Sequence, residues 1–154
     1  MTSRGIWSLF VSNPTTVLSD TQLAPAGAGI TNGTMSAAGS TYANQTNLDL
    51  YGDFELNIAS YTSTAGCYGA VYIWEAIDGT NFPAQSDADL RASSTQLLCV
   101  IPLGAGSTAA QRTVVRNILI PPGALQFKVD NQSGGTWPSG WTLRMLAYSY
   151  NNNG

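Results

Sequence analysis

The arrangement closest to catalysis in this sequence is a pair of carboxylates two positions apart, Asp53 and Glu55. On a strand they share one face, and a glycosidase needs two acids flanking its sugar bond. The same spacing also makes the solvated face of an amphipathic strand. Phe54, Leu56 and Ile58 alternate with Asp53, Glu55 and Asn57, so the solvated face is the reading adopted. A second acidic group, Asp78 followed by Asp87 and Asp89, offers oxygen ligands for calcium. Its spacing is not that of an EF-hand and no Glu closes it, so Asp78-Gly79 reads as a hairpin turn leading into a polar loop. A nucleophilic triad lacks its base, because the chain has no His; a Ser–Lys variant would rest on Lys128 alone. Lys128, between Phe127 and Val129, reads as one exposed strand position. Gly104-Ala105-Gly106-Ser107 lacks the Lys-Ser/Thr of a phosphate loop and opens no helix. The residues thus argue against an enzyme and call for no cofactor and no metal.

Cys67 and Cys99, without His, are too few for a zinc site. Two readings stand for them: half-buried thiols acting as small hydrophobes, or a disulfide between adjacent strands. Three Asn-x-Ser/Thr triplets, at Asn32, Asn44 and Asn131, are what chance supplies in a chain this rich in Asn and Thr. Among the aromatics, Tyr72, Trp74, Trp137, Trp141, Tyr148 and Tyr150 would serve either as a sugar-stacking platform or as core and interface packing. Arg112 and Arg116 share a strand face with Val114 and Ile118. They read equally as interface arginines, whose planar fork pairs with carboxylates, or as edge-strand charges that discourage aggregation.

Scarce charge limits the partners. The chain is 10% charged, against about one quarter for an ordinary soluble domain, and carries a net charge of −3. Six dispersed cations make no nucleic-acid footprint and no polybasic membrane anchor. The apolar runs fall short of the roughly 20 residues of a spanning helix. The first of them, Ile6-Trp7-Ser8-Leu9-Phe10-Val11, is too short for a signal peptide and is interrupted by Ser8. It reads as a strand, in a chain made in a cytoplasm without export.

The elements that must position these residues read as all-β. No window of a dozen residues has helical periodicity, and turn residues recur throughout. Strands are expected at 6–11, from residue 48 through Phe54, Leu56 and Ile58, and at 69–77, 97–103, 112–120, 125–129 and 141–150. Pro121-Pro122-Gly123 forces a break. With one more strand within 12–46 the count is about eight, which argues an antiparallel, jelly-roll-like β-sandwich in a single domain. Residues 1–46 form a first strand and an irregular N-terminal arm; 47–154 form the body. Several strands are apolar on both faces: Leu97-Leu98-Cys99-Val100-Ile101, and Leu143, Met145 and Ala147 against Leu146, Tyr148 and Tyr150. A two-layer sandwich covers only one face of each sheet, so the other needs the 12–46 arm or another subunit. The residues placed at such an interface are Trp7, Phe10, Trp74, Arg112, Arg116, Trp137, Trp141, Tyr148 and Tyr150.

Three segments carry a resemblance. Val71-Tyr72-Ile73-Trp74-Glu75-Ala76-Ile77-Asp78-Gly79-Thr80-Asn81-Phe82 is a strand ending in an Asp-Gly-Thr-Asn-aromatic turn. Ile118-Leu119-Ile120-Pro121-Pro122-Gly123-Ala124-Leu125-Gln126-Phe127-Lys128-Val129 is a strand, a corner and a strand. Asp130-Asn131-Gln132-Ser133-Gly134 is the turn that leads to the final strand. Over residues 48–150 the arrangement resembles small jelly-roll head decoration, or cement, proteins of tailed bacteriophages. The resemblance implies a virion protein on the outer capsid surface, made in the host cytoplasm. It implies the major capsid protein and further copies of the chain, as homodimer or homotrimer, for partners. A tail, neck or fibre component of the virion and a carbohydrate-binding β-sandwich module are the alternatives.

Overall fold

The computed structural model describes residues 6–11, 15–19, 29–93, 95–105 and 108–153; for 6–11, 15–19 and 150–153 the backbone alone is described. The strands are β1 (Ile6–Val11), β2 (Thr15–Ser19), β3 (Tyr42–Ala43), β4 (Tyr51–Ile58), β5 (Tyr68–Ala76), β6 (Leu97–Pro102), β7 (Gln111–Leu119), β8 (Ala124–Gln132) and β9 (Thr142–Asn153). Two short helices interrupt them, α1 (Asn44–Asn47) and α2 (Asp87–Ala92).

The chain pairs from the outside in. β1 and β2 both lie along β9, β3 lies on β8, β4 on β7 and β5 on β6, all antiparallel. Successive pairs alternate between two sheets, which the contacts β4–β9 and β5–β8 complete. The first sheet runs β1/β2, β9, β4, β7, and the second runs β3, β8, β5, β6. A long hairpin rolled around its own core gives this order, and that is the jelly roll.

Alternation sets the inner faces. Phe54, Leu56 and Ile58 of β4 and Leu143 and Met145 of β9 are buried, and they face Val71, Leu125, Phe127 and Val129 of the second sheet. Phe54 and Phe127 meet across the layers with ring centroids 5.7 Å apart. Burying each such side chain contributes about 1.5–3 kcal/mol, and the shared interior is what holds the two sheets together.

The second apolar face of β5 has its cover within the chain. Tyr72, Trp74 and Ala70 form a smaller core with Met35 and with Leu90 of α2. The helix starts where Ser86 and Asp89 cap one another reciprocally. Arg91 then fastens it, reaching Asp130 at 2.7 Å and the Gly33 carbonyl at 2.7 Å. Lys128, expected to be exposed, is therefore covered. Its Nζ stands 4.4 Å above the Trp74 ring and 2.6 Å from Asp87, because α2 folds over its side of the sheet.

The arm expected over 1–46 is only in part available to description, since 1–5, 12–14 and 20–28 lie outside the described residues. From residue 33 the chain follows the edge of β8: the Gly33, Ser36 and Gly39 N–H groups donate to the carbonyls of Asn131, Val129 and Phe127. Buried Asn44 crosses the expected boundary at 46–47, donating to the Asp49 and Pro121 carbonyls. Ile77, expected within a strand, lies past the end of β5 and is 91% exposed.

Candidate functional site

The outward face of the first sheet gathers three of the six cationic side chains. Arg112 and Arg116 come from β7 and Arg144 from β9, with Asp53 and Glu55 of β4 between them. Together with Val114 and Leu146 they line a shallow concavity of about 200 Å³. Arg112 donates through Nε to Glu55 at 2.7 Å, and its Nη2 stands 2.6 Å from the same oxygen. Arg116 reaches Asp53 at 3.2 Å. Arg144 lies opposite Glu55 in the strand register and has no ion-pair partner among the described residues.

Asp53 organises this face. The β4–β7 register slips between Gly52 and Phe54, so that Arg116 and Asn117 together oppose Asp53. Asn117 has a positive φ of 57°, a conformation that Asn tolerates better than most residues. Its N–H donates to Asp53 Oδ1 at 3.0 Å, and the Tyr148 hydroxyl donates to the same oxygen at 3.0 Å. The bulge turns the end of β7 and fixes where the Arg116 guanidinium stands. The two carboxylates are thus held by cations and an N–H on an open sheet face. A glycosidase needs them free on either side of a bound sugar. Arginine forks around Val114 and Leu146 suit a flat protein partner with carboxylates of its own.

The other residues placed at an interface are distributed differently. Trp137 and Trp141 are fully buried, 5.9 Å apart, and Trp74 and Tyr148 are buried as well. The chain's own core takes up these rings, and they make no exposed stacking platform. The side chains of Trp7, Phe10 and Tyr150 lie outside the described residues; their backbones pair within β1 and β9, Trp7 opposite Asn152 and Phe10 opposite Ser149. Asp78, Asp87 and Asp89 point to separate partners. Asp78 accepts from the Thr80 and Asn81 N–H groups, Asp87 pairs with Lys128, and Asp89 caps Ser86. Donation from Asn81 and then Thr80 pulls the Asp78 carboxyl down to about 2. The expected Asp78-Gly79 hairpin is instead the start of a long connection that carries α2.

Two of the Asn-x-Ser/Thr triplets are structural. Asn131 is fully buried; its Nδ2 donates to the Ile30 and Gly135 carbonyls, and its Oδ1 accepts from Ser133 N–H and Oγ–H. Asn44 plays the same part at the other end of the sandwich. Sequence reasoning assigned these triplets to chance, since their spacing carries no sign of burial. Arg144 was missed for another reason. It stands on a strand read mainly for its apolar residues, and only strand pairing brings it to Glu55.

Both cysteines are free thiols. Burial pushes Cys99 up to about 12. Tyr42 is pushed to about 12 by burial and by its hydrogen bond to Asp49, and Tyr61 to about 12 by burial and then Cys67. In each case the unfolded chain releases its proton first as the pH rises. Their contribution to stability is therefore complete below about pH 9 and is lost progressively as the pH approaches 12. The thermal midpoint is expected to be flat from neutrality to about pH 8.5 and to fall steadily above it. A midpoint unchanged at about pH 11 would contradict these placements.

No family model matches the chain, and neither the curated proteins nor the solved structures yield a match. Among the described residues no helix is long and apolar enough to cross a membrane.

Proposed function

We propose that this chain is a structural protein of a virion, a decoration or cement protein that binds the outer surface of a capsid and stabilises the shell. The observation that carries this reading is the outer face of the first sheet. Arg112, Arg116 and Arg144 stand with Asp53 and Glu55 around Val114 and Leu146 on an open, shallow surface. Three cations against two carboxylates make this face net positive on a chain whose net charge is −3. Such a face is complementary to an acidic, flat partner such as a capsid subunit, and the small number of charges elsewhere leaves little to oppose close packing. The jelly roll supports the reading too, being a frequent scaffold of viral structural proteins, although it also hosts lectins. The mechanism is adhesive: apolar area is buried, and arginines pair with carboxylates across the contact.

The test is immunogold labelling of intact particles from the virus that encodes the chain, with antibodies raised against the purified protein. Gold distributed over the heads is the expected result. Label confined to tails would move the protein to the tail, neck or fibre. Particles without label would overturn the virion reading.

A further inference from the structure

A half-buried carboxylate without a partner stands where β5 leaves the core. Val71 and Ile73 are buried in the main core, and Glu75 takes the next position on the same side of the strand. Every other carboxylate among the described residues has a hydrogen bond or an ion pair; Glu75 has neither. The Pro121-Pro122-Gly123 corner makes room for it. A Cβ on Gly123 would stand 2.8 Å from Glu75 Oε1, and the φ of 125° at this glycine is one that residues with a side chain rarely adopt. The corner thus seats a carboxylate that no described residue neutralises.

Glu75 lines a concavity of about 360 Å³ with Ile73, Ile77, Pro83, Thr95, Gln96 and Pro121. None of these is cationic. Gln96 adds a second acceptor. Gln85 Oε1 accepts from Trp74 Nε1 at 2.9 Å and from Gln96 Nε2. An indole N–H can only donate, so Gln85 must present its oxygen here and Gln96 its amide nitrogen. Gln96 Oε1 is left as an acceptor, and it is buried with no donor. Leaving such a group unmet costs about 1–3 kcal/mol. The backbone holds the residue in place, since Ile73 N–H donates to the Gln96 carbonyl at 2.9 Å.

We infer that this concavity is a binding site for a guanidinium carried on an aliphatic stem. Charge calls for a cation, because an unpaired carboxylate and an unmet amide oxygen both accept. Shape calls for a guanidinium, whose planar fork gives two parallel N–H groups to a carboxylate and keeps others for a neighbouring oxygen. An ammonium is a compact, strongly hydrated charge and gains less from such a seat. The stem would lie on Ile73, Ile77, Pro83 and Pro121, as long cationic side chains cover apolar surface. The volume is at the lower end of small-molecule sites, which run from about 300 to 1,000 Å³. The concavity shares no residue with the arginine-bearing face of the first sheet, so the inference goes beyond the virion reading and does not depend on it.

Titration of butylguanidine into the nitrogen-15-labelled full chain at low ionic strength tests it, read from amide and side-chain NH₂ resonances. The expected result is shifts confined to Ile73, Glu75, Gln96 and their neighbours, saturating with a Kd of about 1 mM or below. Butylamine, with the same tail and an ammonium head, is expected to bind several-fold more weakly. Glu75→Gln keeps the size of the side chain and should keep the thermal midpoint; its affinity for butylguanidine is expected to fall at least about tenfold. An arginine blocked at both ends separates the two sources of this chemistry. Binding as tight as that of butylguanidine would assign the site to an arginine side chain of a protein, and rejection would assign it to a free guanidino compound. No saturation by about 10 mM butylguanidine, shifts scattered over the other carboxylates, butylamine binding as tightly, or an unchanged affinity in Glu75→Gln would overturn the inference.

Discussion

Replacing Trp137 by alanine is expected to destabilise the protein by about 3–5 kcal/mol, the largest loss from any single truncation in the sandwich. Trp137 belongs to no strand. It fills the end of the core from which β9 starts, packed on Trp141 at 5.9 Å and fully buried. Its Nε1 donates to Ser133 Oγ at 2.9 Å and its backbone N–H to the Ile30 carbonyl at 2.9 Å. The neighbourhood is shaped around the indole. A Cβ on Gly69 would stand 2.8 Å from Leu56 Cδ2 and 3.1 Å from the ring, so any larger residue at this point of β5 would push on the Leu56 side chain and the indole. Alanine would leave a cavity that flanking strands, fixed by their ladders, cannot close. For a domain of this size the loss corresponds to a fall in thermal midpoint of about 10 °C or more. Denaturant unfolding gives the value directly, and a loss below about 1 kcal/mol would show that the end of the core is not held by this ring. Trp137→Phe, which keeps an aromatic but loses the bond to Ser133, should fall between.

The second large effect is on docking. The triple variant Arg112→Glu/Arg116→Glu/Arg144→Glu is expected to weaken binding to undecorated shells at least about 100-fold. The reversal turns the outer face of the first sheet from net positive to wholly acidic, against a partner proposed to be acidic. Its cost to the fold is small, because Arg112 and Arg116 are about 70% exposed and exposed pairs contribute about 0–1 kcal/mol each. A thermal midpoint within a few degrees of the parent would show that the fold survives. Co-sedimentation with shells at increasing ionic strength gives the second readout, since pairing through exposed arginines weakens as salt rises. A triple variant that decorates shells like the parent, or a parent whose affinity ignores salt, would remove this face from the contact.

These two sites differ in how far the sequence discloses them. Arg112 and Arg116 lie four apart on a strand with Val114 between them, so their common face is visible in the one-dimensional pattern; Ile118, expected on that same face, packs against the main core instead, because the bulge at Arg116 and Asn117 breaks the alternation. Arg144 joins them only through the β4–β9 register, which sets it opposite Glu55. Trp137 is visible as a large apolar residue, but its place in the core's end depends on Ser133, Ile30 and Gly69, far apart along the chain. Lys128 shows the limit most plainly. A polar residue between Phe127 and Val129 reads as solvent-facing, and it does point away from the main core. What covers it is α2, a helix too short to leave a period in the sequence.

By itself the sequence determined the all-β class, the inner face of β4, and the Pro121-Pro122-Gly123 corner. Each of these follows from alternation and turn chemistry among neighbours in the chain. Tertiary structure alone decided the outside-in pairing of the strands, the burial of Asn44 and Asn131, the cover over β5, and the meeting of Arg144 with Arg112 and Arg116. These depend on which distant segments share a layer. Period-two alternation tells a strand which side to bury; it does not say which strand will lie beside it.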